Sequence, residues 1–140
     1  GWPKKCYFPQ ITHLEGLILD YPNATFVLPQ RAPEKWAVSV IKWQRMDKRI
    51  AQCSLPTMKL PFATTPPETK DEALENEAWK AELSKFYTAV VTRAERILNR
   101  SGVRWFSFSL EDDYLYTGTK VAAQLGGTHK CWRVANKQHN

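Results

Sequence analysis

Two short apolar runs rich in β-forming residues constrain the fold of this 140-residue chain more than any other feature. The first is "ATFVLP" at residues 24–29, and the second is "VRWFSFSL" at residues 103–110. Both are apolar enough to be internal strands of a parallel sheet, and the first should end at about Pro29, which cannot donate a ladder hydrogen bond. Helical patterns surround both runs. This alternation predicts an α/β fold with a parallel sheet in a three-layer α/β/α arrangement.

Two amphipathic helices are predicted in the first third of the chain. The segment "FPQITHLEGLILDYP" has apolar residues at helical spacing, and Pro9 suits its first turn. A second helix should begin at Pro33 and run to about Arg49. One face of this second helix should carry Trp36, Val40 and Trp43.

The remaining helices follow a segment with five prolines, "CSLPTMKLPFATTPPETK", which we interpret as a packed loop or lid. The longest helix should run from about Asp71 to Arg100, with Gly102 as its C-terminal cap. The segment "TGTKVAAQLGG" predicts a short last helix that closes at its glycines. Two strands are too few for a freestanding sheet. Either an edge strand escapes this interpretation, or the partner strands lie on another chain or segment.

Composition narrows the class of protein and of partner. A chain of this length is expected to form a single domain, residues 1–140, and 43% hydrophobic residues suit a globular fold. The net charge of +6 favours anionic partners. No RNA-binding motif with interleaved aromatic and basic residues occurs, so nucleic acid is not the expected partner. No apolar run is long enough for a transmembrane segment.

The cysteines and two tripeptides bear on the compartment. Cys6, Cys53 and Cys131 have no metal-ligand spacing, so no metal site is expected. One disulfide, for example Cys53–Cys131, and buried free thiols remain open as alternatives. Two N-x-[S/T] sequons begin at Asn23 and Asn99, and they favour the secretory route, the Golgi lumen or another organelle lumen without deciding the location.

The junction between the first strand and the second helix holds the candidate binding site. Arg31 follows the strand, where ligands bind in open α/β sheets, and a helix beginning at Pro33 directs its free N–H groups to the same place. The guanidinium group can bind phosphate oxygens, and a serine hydroxyl can add a further hydrogen bond. The alternative role for Arg31 is an ion pair with a neighbouring Glu or Asp.

The segment "YPNATFVLPQRAPEKWAVSV" resembles the strand–Arg–helix segment of P-loop-type sulfotransferases, especially the Golgi-like algal and fungal branch. Looser similarity extends upstream through "CYFPQI" and downstream through "CSLP", Glu111-Asp112-Asp113, "LGG" and the final "CW". The resemblance implies that Arg31 and Ser39, eight residues apart, hold the 3′-phosphate of the sulfate donor, 3′-phosphoadenosine 5′-phosphosulfate. It covers most of the chain.

The chain also departs from the family pattern. Ala32 stands where the family has Asp or Asn after the arginine. No Gly-rich loop with a lysine precedes a Thr or Ser, so nothing in the sequence matches the family's cradle for the 5′-phosphosulfate. We therefore expect the C-terminal half of the sulfotransferase fold, with transferase activity only if an N-terminal half completes it.

No general base can be assigned from the sequence, and the catalytic residues stay unknown. His13 superficially resembles the base segment of cytosolic sulfotransferases, but it is expected in mid-helix as a surface or packing residue. His129 and His139 lie in the basic tail without informative spacing. Glu111-Asp112-Asp113 is expected to be a solvated loop and a helix N-cap rather than a metal-binding carboxylate pair.

Three functions are compatible with these patterns. The first is a sulfotransferase-like protein that binds the donor nucleotide. The second is a non-catalytic accessory or structural subunit of a larger assembly, favoured by the missing cradle, the unpaired sheet edge and six tryptophans. This hypothesis expects a protein partner. The third is a basic module that binds an acidic protein or polysaccharide.

Overall fold

The computed structural model describes residues 8–53, 62–128 and 130, and its helices and strands follow one another in the predicted order. The helices are α1 (Pro9–Thr12), α2 (Leu14–Asp20), α3 (Pro33–Lys42), α4 (Met46–Gln52), α5 (Lys70–Glu75), α6 (Glu77–Ser101) and α7 (Tyr114–Leu125). The strands are β1 (Phe26–Gln30) and β2 (Trp105–Ser109). The protein is therefore mixed α/β and rich in helix, as the sequence predicts.

These elements belong to two compact units. The helical unit comprises the residues up to Ala24 and from Ala32 to Val103, and it holds α1 to α6. The sheet unit comprises Thr25–Arg31 and the residues from Arg104 onwards, and it holds β1, β2 and α7. The prediction of a single domain stays a prediction.

The sheet unit is built on one parallel pair of strands. β1 and β2 pair in parallel with Phe26 opposite Trp105 and Gln30 opposite Ser109, which confirms the predicted direction. The strand ends at Gln30, one residue after Pro29, which agrees with its predicted end at about Pro29. Within the described residues β1 pairs with β2 alone, and such an edge strand tolerates the missing N–H of a proline. A small core joins α7 to the sheet through Phe106, Phe108 and Val121.

Two predicted helices are each divided by a break. The first, predicted as one helix, breaks at His13 between α1 and α2. The second ends at Lys42 instead of Arg49, because Gln44 and Arg45 adopt left-handed φ values of 46° and 54° before α4 begins. The turn also leaves Trp43 outside α3 and 55% exposed, so it does not share the partly buried helix face of Trp36 and Val40 as predicted.

The predicted long helix is also divided. The break lies at Asn76, and the side chain of this residue explains it. The Asn76 amide oxygen accepts a hydrogen bond from the backbone N–H of Trp79 at 2.9 Å, and so it caps a new helix, α6. Asparagine favours such local bonds over a place inside a helix. At the other end, Gly102 has φ of 71° and forms the predicted C-terminal cap.

The core of the helical unit lies between α3, α5 and α6. Its fully buried side chains are those of Ala37, Ile41, Ala73, Trp79 and Leu83. Phe62 lies in the described part of the proline-rich segment and packs against the rings of Trp79 and Phe86 at 5.3 and 5.6 Å. The prediction of a packed loop is thereby confirmed for residues 62–69, whereas residues 54–61 lie outside the described chain.

Within the ranges that the structure describes, no helix combines the length and the apolar character needed to cross a membrane.

Candidate functional site

The carboxyl end of the β1–β2 pair is where the sheet unit gathers its functional side chains. The backbone N–H of Leu110 donates to the carbonyl oxygen of Gln30 at 2.8 Å, so the pairing continues to the last residue of β1. Since the strands are parallel and in register, the residues that follow them emerge at one edge. Arg31 and Glu111 are two of these residues.

Arg31 forms an ion pair with Glu111 at this edge. The guanidinium Nε lies 3.1 Å from Oε1 of Glu111, and the two side chains are 36% and 25% exposed. The Ser109 hydroxyl donates to Oε2 of the same carboxylate at 3.3 Å and accepts from the Glu111 backbone N–H at 3.1 Å. The alternative role that the sequence left open for Arg31, pairing with an acidic neighbour, is therefore present.

The acidic segment after β2 also begins the last helix. Oδ1 of Asp113 accepts hydrogen bonds from the backbone N–H groups of Leu115 and Tyr116 at 2.9 and 3.2 Å, so Asp113 is the N-cap of α7. The prediction of a loop and helix N-cap is confirmed. No group of three or more potential metal ligands occurs in the described segments.

Ser39, the second residue of the predicted phosphate site, lies in the helical unit, whereas Arg31 lies in the sheet unit. Ser39 is partly buried in α3, and its carbonyl oxygen accepts the backbone N–H of Trp43 at 2.9 Å. The helix begins at Pro33, as predicted, and Ala32 occupies the N-cap without any side-chain hydrogen bond. A serine, aspartate or asparagine would supply that bond.

Of the histidines considered in the sequence, His13 lies within the described residues. His13 is exposed at the junction of α1 and α2 rather than in mid-helix, with Nδ1 3.0 Å from the carbonyl oxygen of Thr12. This exposure agrees with the surface role expected for it. His129 and His139 lie outside the described residues, and so do Cys6 and Cys131. Cys53 is disulfide-bonded, which supports the first of the two alternatives for the cysteines.

A buried polar network in the helical unit was not anticipated from the sequence. Asp47 is completely buried, and its carboxylate accepts two hydrogen bonds from Arg45 and one from the Trp79 indole N–H, all at 3.0 Å. Arg45 also donates to the carbonyl oxygens of Pro67 and Glu68 at 2.8 and 3.0 Å. These hydrogen bonds hold the proline-rich segment against α4 and α6, so the role of the network is to stabilise the fold.

The helical unit also contains an open cavity of about 370 Å³ between α2 and the C-terminal end of α6. Its lining is mixed, with a carboxylate, a guanidinium and a hydroxyl among apolar side chains, namely Glu15, Ile18, Leu19, Ile97, Arg100 and Ser101. Arg93 belongs to α6 and contacts both short helices at the start of the chain. Its guanidinium lies 3.3 Å from the Glu15 carboxylate in α2 and 2.9 Å from the Ile11 carbonyl oxygen in α1. The volume falls in the range of small-molecule sites.

Comparison of the chain with protein families, with curated proteins and with solved structures finds no match. The function is therefore argued from the residues and their geometry.

Proposed function

We propose that the carboxyl end of the β1–β2 pair binds a phosphate of a nucleotide, and that the protein is a sulfotransferase-like chain. The observation that carries the proposal is the position of Arg31. It follows a strand of a parallel pair directly, and its side chain is 36% exposed. An arginine at such a strand end offers a planar set of donors to phosphate oxygens.

The resemblance identifies the phosphate as the 3′-phosphate of 3′-phosphoadenosine 5′-phosphosulfate. It also assigns Ser39 a share in binding this phosphate, which rests on the sequence spacing alone. In this proposal the two-stranded sheet is part of a larger three-layer α/β/α sheet, the C-terminal half of a sulfotransferase fold. Sulfuryl transfer to an acceptor hydroxyl would need a 5′-phosphosulfate cradle supplied by an N-terminal half.

Glu111 limits the affinity of such a site for phosphate. Its carboxylate already accepts the Nε–H of Arg31, so an incoming phosphate competes with it. The Ser109 hydroxyl donates a hydrogen bond to the other carboxylate oxygen at 3.3 Å, and this bond keeps Glu111 beside Arg31. Because both partners are partly exposed, the ion pair is worth about 1 kcal/mol or less, which a doubly charged phosphate can overcome.

A second function, that of a non-catalytic accessory subunit, is favoured by the same ion pair, because Glu111 neutralises the cation that would bind the phosphate. The segment beside it also exposes large apolar side chains, each half or more accessible, as a protein partner would require. They are Leu110, Tyr114, Leu115 and Tyr116.

Calorimetric titration with adenosine 3′,5′-bisphosphate separates the two functions. The nucleotide proposal expects saturable binding that Arg31→Ala abolishes. Arg104→Ala is the matched control, because Arg104 is an exposed arginine at the opposite end of the same sheet, bonded through Nε to the Thr25 hydroxyl at 2.7 Å. No binding by the native protein would reject nucleotide binding, and equal losses in both variants would reject its assignment to Arg31. Either result would leave the accessory function.

A further inference from the structure

We propose that Asn23 is an N-glycosylation site, and that the protein matures in an oxidising compartment of the secretory route. Asn23-Ala24-Thr25 satisfies the acceptor sequence, since its middle residue is not proline and its third is threonine. An acceptor sequence alone arises often by chance. Two structural observations, made on different segments of the chain, support the modification of this acceptor sequence.

The first observation is the conformation around Asn23. The backbone N–H of Ala24 donates to the carbonyl oxygen of Tyr21 at 3.1 Å, which closes a turn with Pro22 and Asn23 at its centre. Proline followed by asparagine suits the central positions of such a turn. The four residues Tyr21 to Ala24 are all exposed. An oligosaccharide on Asn23 therefore enters solvent without displacing a packed side chain.

The second observation is the disulfide at Cys53. Disulfides persist in the secretory route and outside the cell, and they are rare where thiols are kept reduced. N-glycosylation takes place on chains that enter the same route. Asn23 and Cys53 lie 30 residues apart in the sequence, so the two features indicate the same compartment independently.

The modification is a group transfer from a lipid-pyrophosphate-linked oligosaccharide, catalysed by the oligosaccharide transferase of the host cell. The side-chain amide nitrogen of Asn23 forms a bond to the anomeric carbon of the first sugar. The bond from that carbon to the pyrophosphate oxygen breaks, and the lipid pyrophosphate leaves with its electron pair. The amide nitrogen gives up one proton, and no oxidant or reductant takes part.

The structure also indicates when the transfer occurs. The Thr25 hydroxyl, the third element of the acceptor sequence, accepts a hydrogen bond from Nε of Arg104 at 2.7 Å in the folded sheet unit. The two residues are 79 positions apart. The hydroxyl thus stays available to the transferase until Arg104 has been synthesised and the strands have paired.

The second sequon, at Asn99, lies in a different setting. Asn99 belongs to the last turns of α6, and the Ser101 hydroxyl already donates to the carbonyl oxygen of Leu98 at 2.8 Å. Helices form locally within about a microsecond, whereas β1 waits for a partner strand. Asn23 therefore stays accessible to the transferase for longer than Asn99 does, and for this reason the proposal concerns Asn23.

Mass spectrometry of the protein from its natural source tests the proposal. The intact protein is treated with peptide N-glycosidase in heavy-oxygen water and then digested with trypsin, which releases residues 6–31 as one peptide. We expect Asn23 to appear as heavy-oxygen aspartate in protein whose Cys53 is disulfide-bonded. An unmodified Asn23, or a glycan on Asn99 alone, would overturn the proposal.

Secretory expression of the full chain supplies a second measurement. Asn23→Gln should abolish the glycosidase-sensitive shift in gel mobility. Thr25→Ser and Asn99→Gln should both keep it, because Thr25→Ser preserves the acceptor sequence. A shift that survives Asn23→Gln would contradict the assignment, and so would its absence from the native chain. Neither result bears on nucleotide binding, because Arg31 is not changed in these variants.

Discussion

The indole N–H of Trp79 donates to the carboxylate of Asp47 at 3.0 Å, and neither side chain is exposed to solvent. The two residues are 32 positions apart and lie on α6 and α4. Arg45 supplies the opposite charge through two further hydrogen bonds at 3.0 Å. A buried carboxylate is tolerated only with such partners, so the helical unit depends on all three residues at once.

We expect Asp47→Ala to lower the free energy of unfolding by about 3–5 kcal/mol, because it leaves the Arg45 guanidinium without its buried partner. Trp79→Phe should cost less, about 1–3 kcal/mol, since Arg45 still neutralises Asp47. Chemical denaturation followed by circular dichroism measures both changes. Asp20→Asn is the matched control, because Asp20 is exposed at the end of α2. A change above about 0.5 kcal/mol there, or a smaller loss for Asp47→Ala than for Trp79→Phe, would contradict this account.

Glu72 should make the stability of the helical unit depend on pH in acid. The Thr69 backbone N–H donates to the Glu72 carboxylate at 3.1 Å, and this bond is the main cause that holds the pKa of Glu72 below its ordinary value of 4.5. Desolvation is the next largest effect and raises the pKa, while the Thr69 side chain, the Glu68 backbone and the charge of Lys48 lower it further. A depressed pKa stabilises the folded state above the ordinary pKa, and this contribution is lost as the pH falls through the lower folded value.

Carbon-detected NMR titration of the Glu72 carboxyl measures this pKa directly. In Thr69→Ala the capping hydroxyl is absent, while the Thr69 backbone N–H remains as that of alanine. We therefore expect the pKa of Glu72 to move only part of the way towards its ordinary value. Glu72→Gln should remove this part of the acid dependence of unfolding. A native pKa at or above the ordinary value would refute the prediction.

The same substitution, Gly→Ala, should have opposite effects at two positions of the helical unit. Gly102 has φ of 71°, so a side chain there is strained even though nothing lies within 4 Å of the added carbon. We expect Gly102→Ala to destabilise by about 1 kcal/mol. Gly16 lies inside α2 with equal free space, and Gly16→Ala should stabilise by about 0.5–1 kcal/mol. Thermal unfolding of both variants compares them, and changes of the same sign would count against the backbone explanation.

Glu111→Gln should strengthen any phosphate binding at Arg31. The substitution removes the competing charge but keeps the shape of the side chain and an oxygen near Ser109. A partly exposed ion pair contributes up to about 1 kcal/mol, so we expect adenosine 3′,5′-bisphosphate to bind up to about fivefold more tightly. Titration calorimetry at low and high salt measures the change. Weaker binding by Glu111→Gln would indicate that Glu111 positions Arg31 instead of competing with the ligand.

The sequence was sufficient for the element order and the parallel pairing, because two apolar β-rich runs and long helical periodicities carry those signals. It was not sufficient for the helix breaks. His13, Gln44, Arg45 and Asn76 are polar residues without a proline or glycine beside them, so no strong helix breaker marks these positions in the sequence. Trp43 is exposed where the chain turns at Gln44, and no sequence signal marks that turn.

The sequence predicted one residue of the ion pair at the candidate site but not the other. Arg31 was expected at a strand end, but its partner Glu111 was not, although the signal was present. Two strands predicted to be parallel must end at one edge, so the acidic residues after the second should meet the arginine after the first. Asp47 offered no such signal, because its second partner, Trp79, lies 32 positions away on a helix that no local pattern connects with Asp47.

The parallel pairing of β1 with β2 also determines the order in which the protein can be built. β1 ends at Gln30 and β2 begins at Trp105, so the ribosome makes the whole span of α3 to α6 before β1 can find its partner. Contacts close in sequence form faster than distant ones, and a strand without a partner is prone to associate with other chains. We expect pulse-labelled hydrogen exchange to protect α6 before β2. During synthesis, then, the long helix matures first, and β1 with its exposed Val27 is the segment that a chaperone would have to shield.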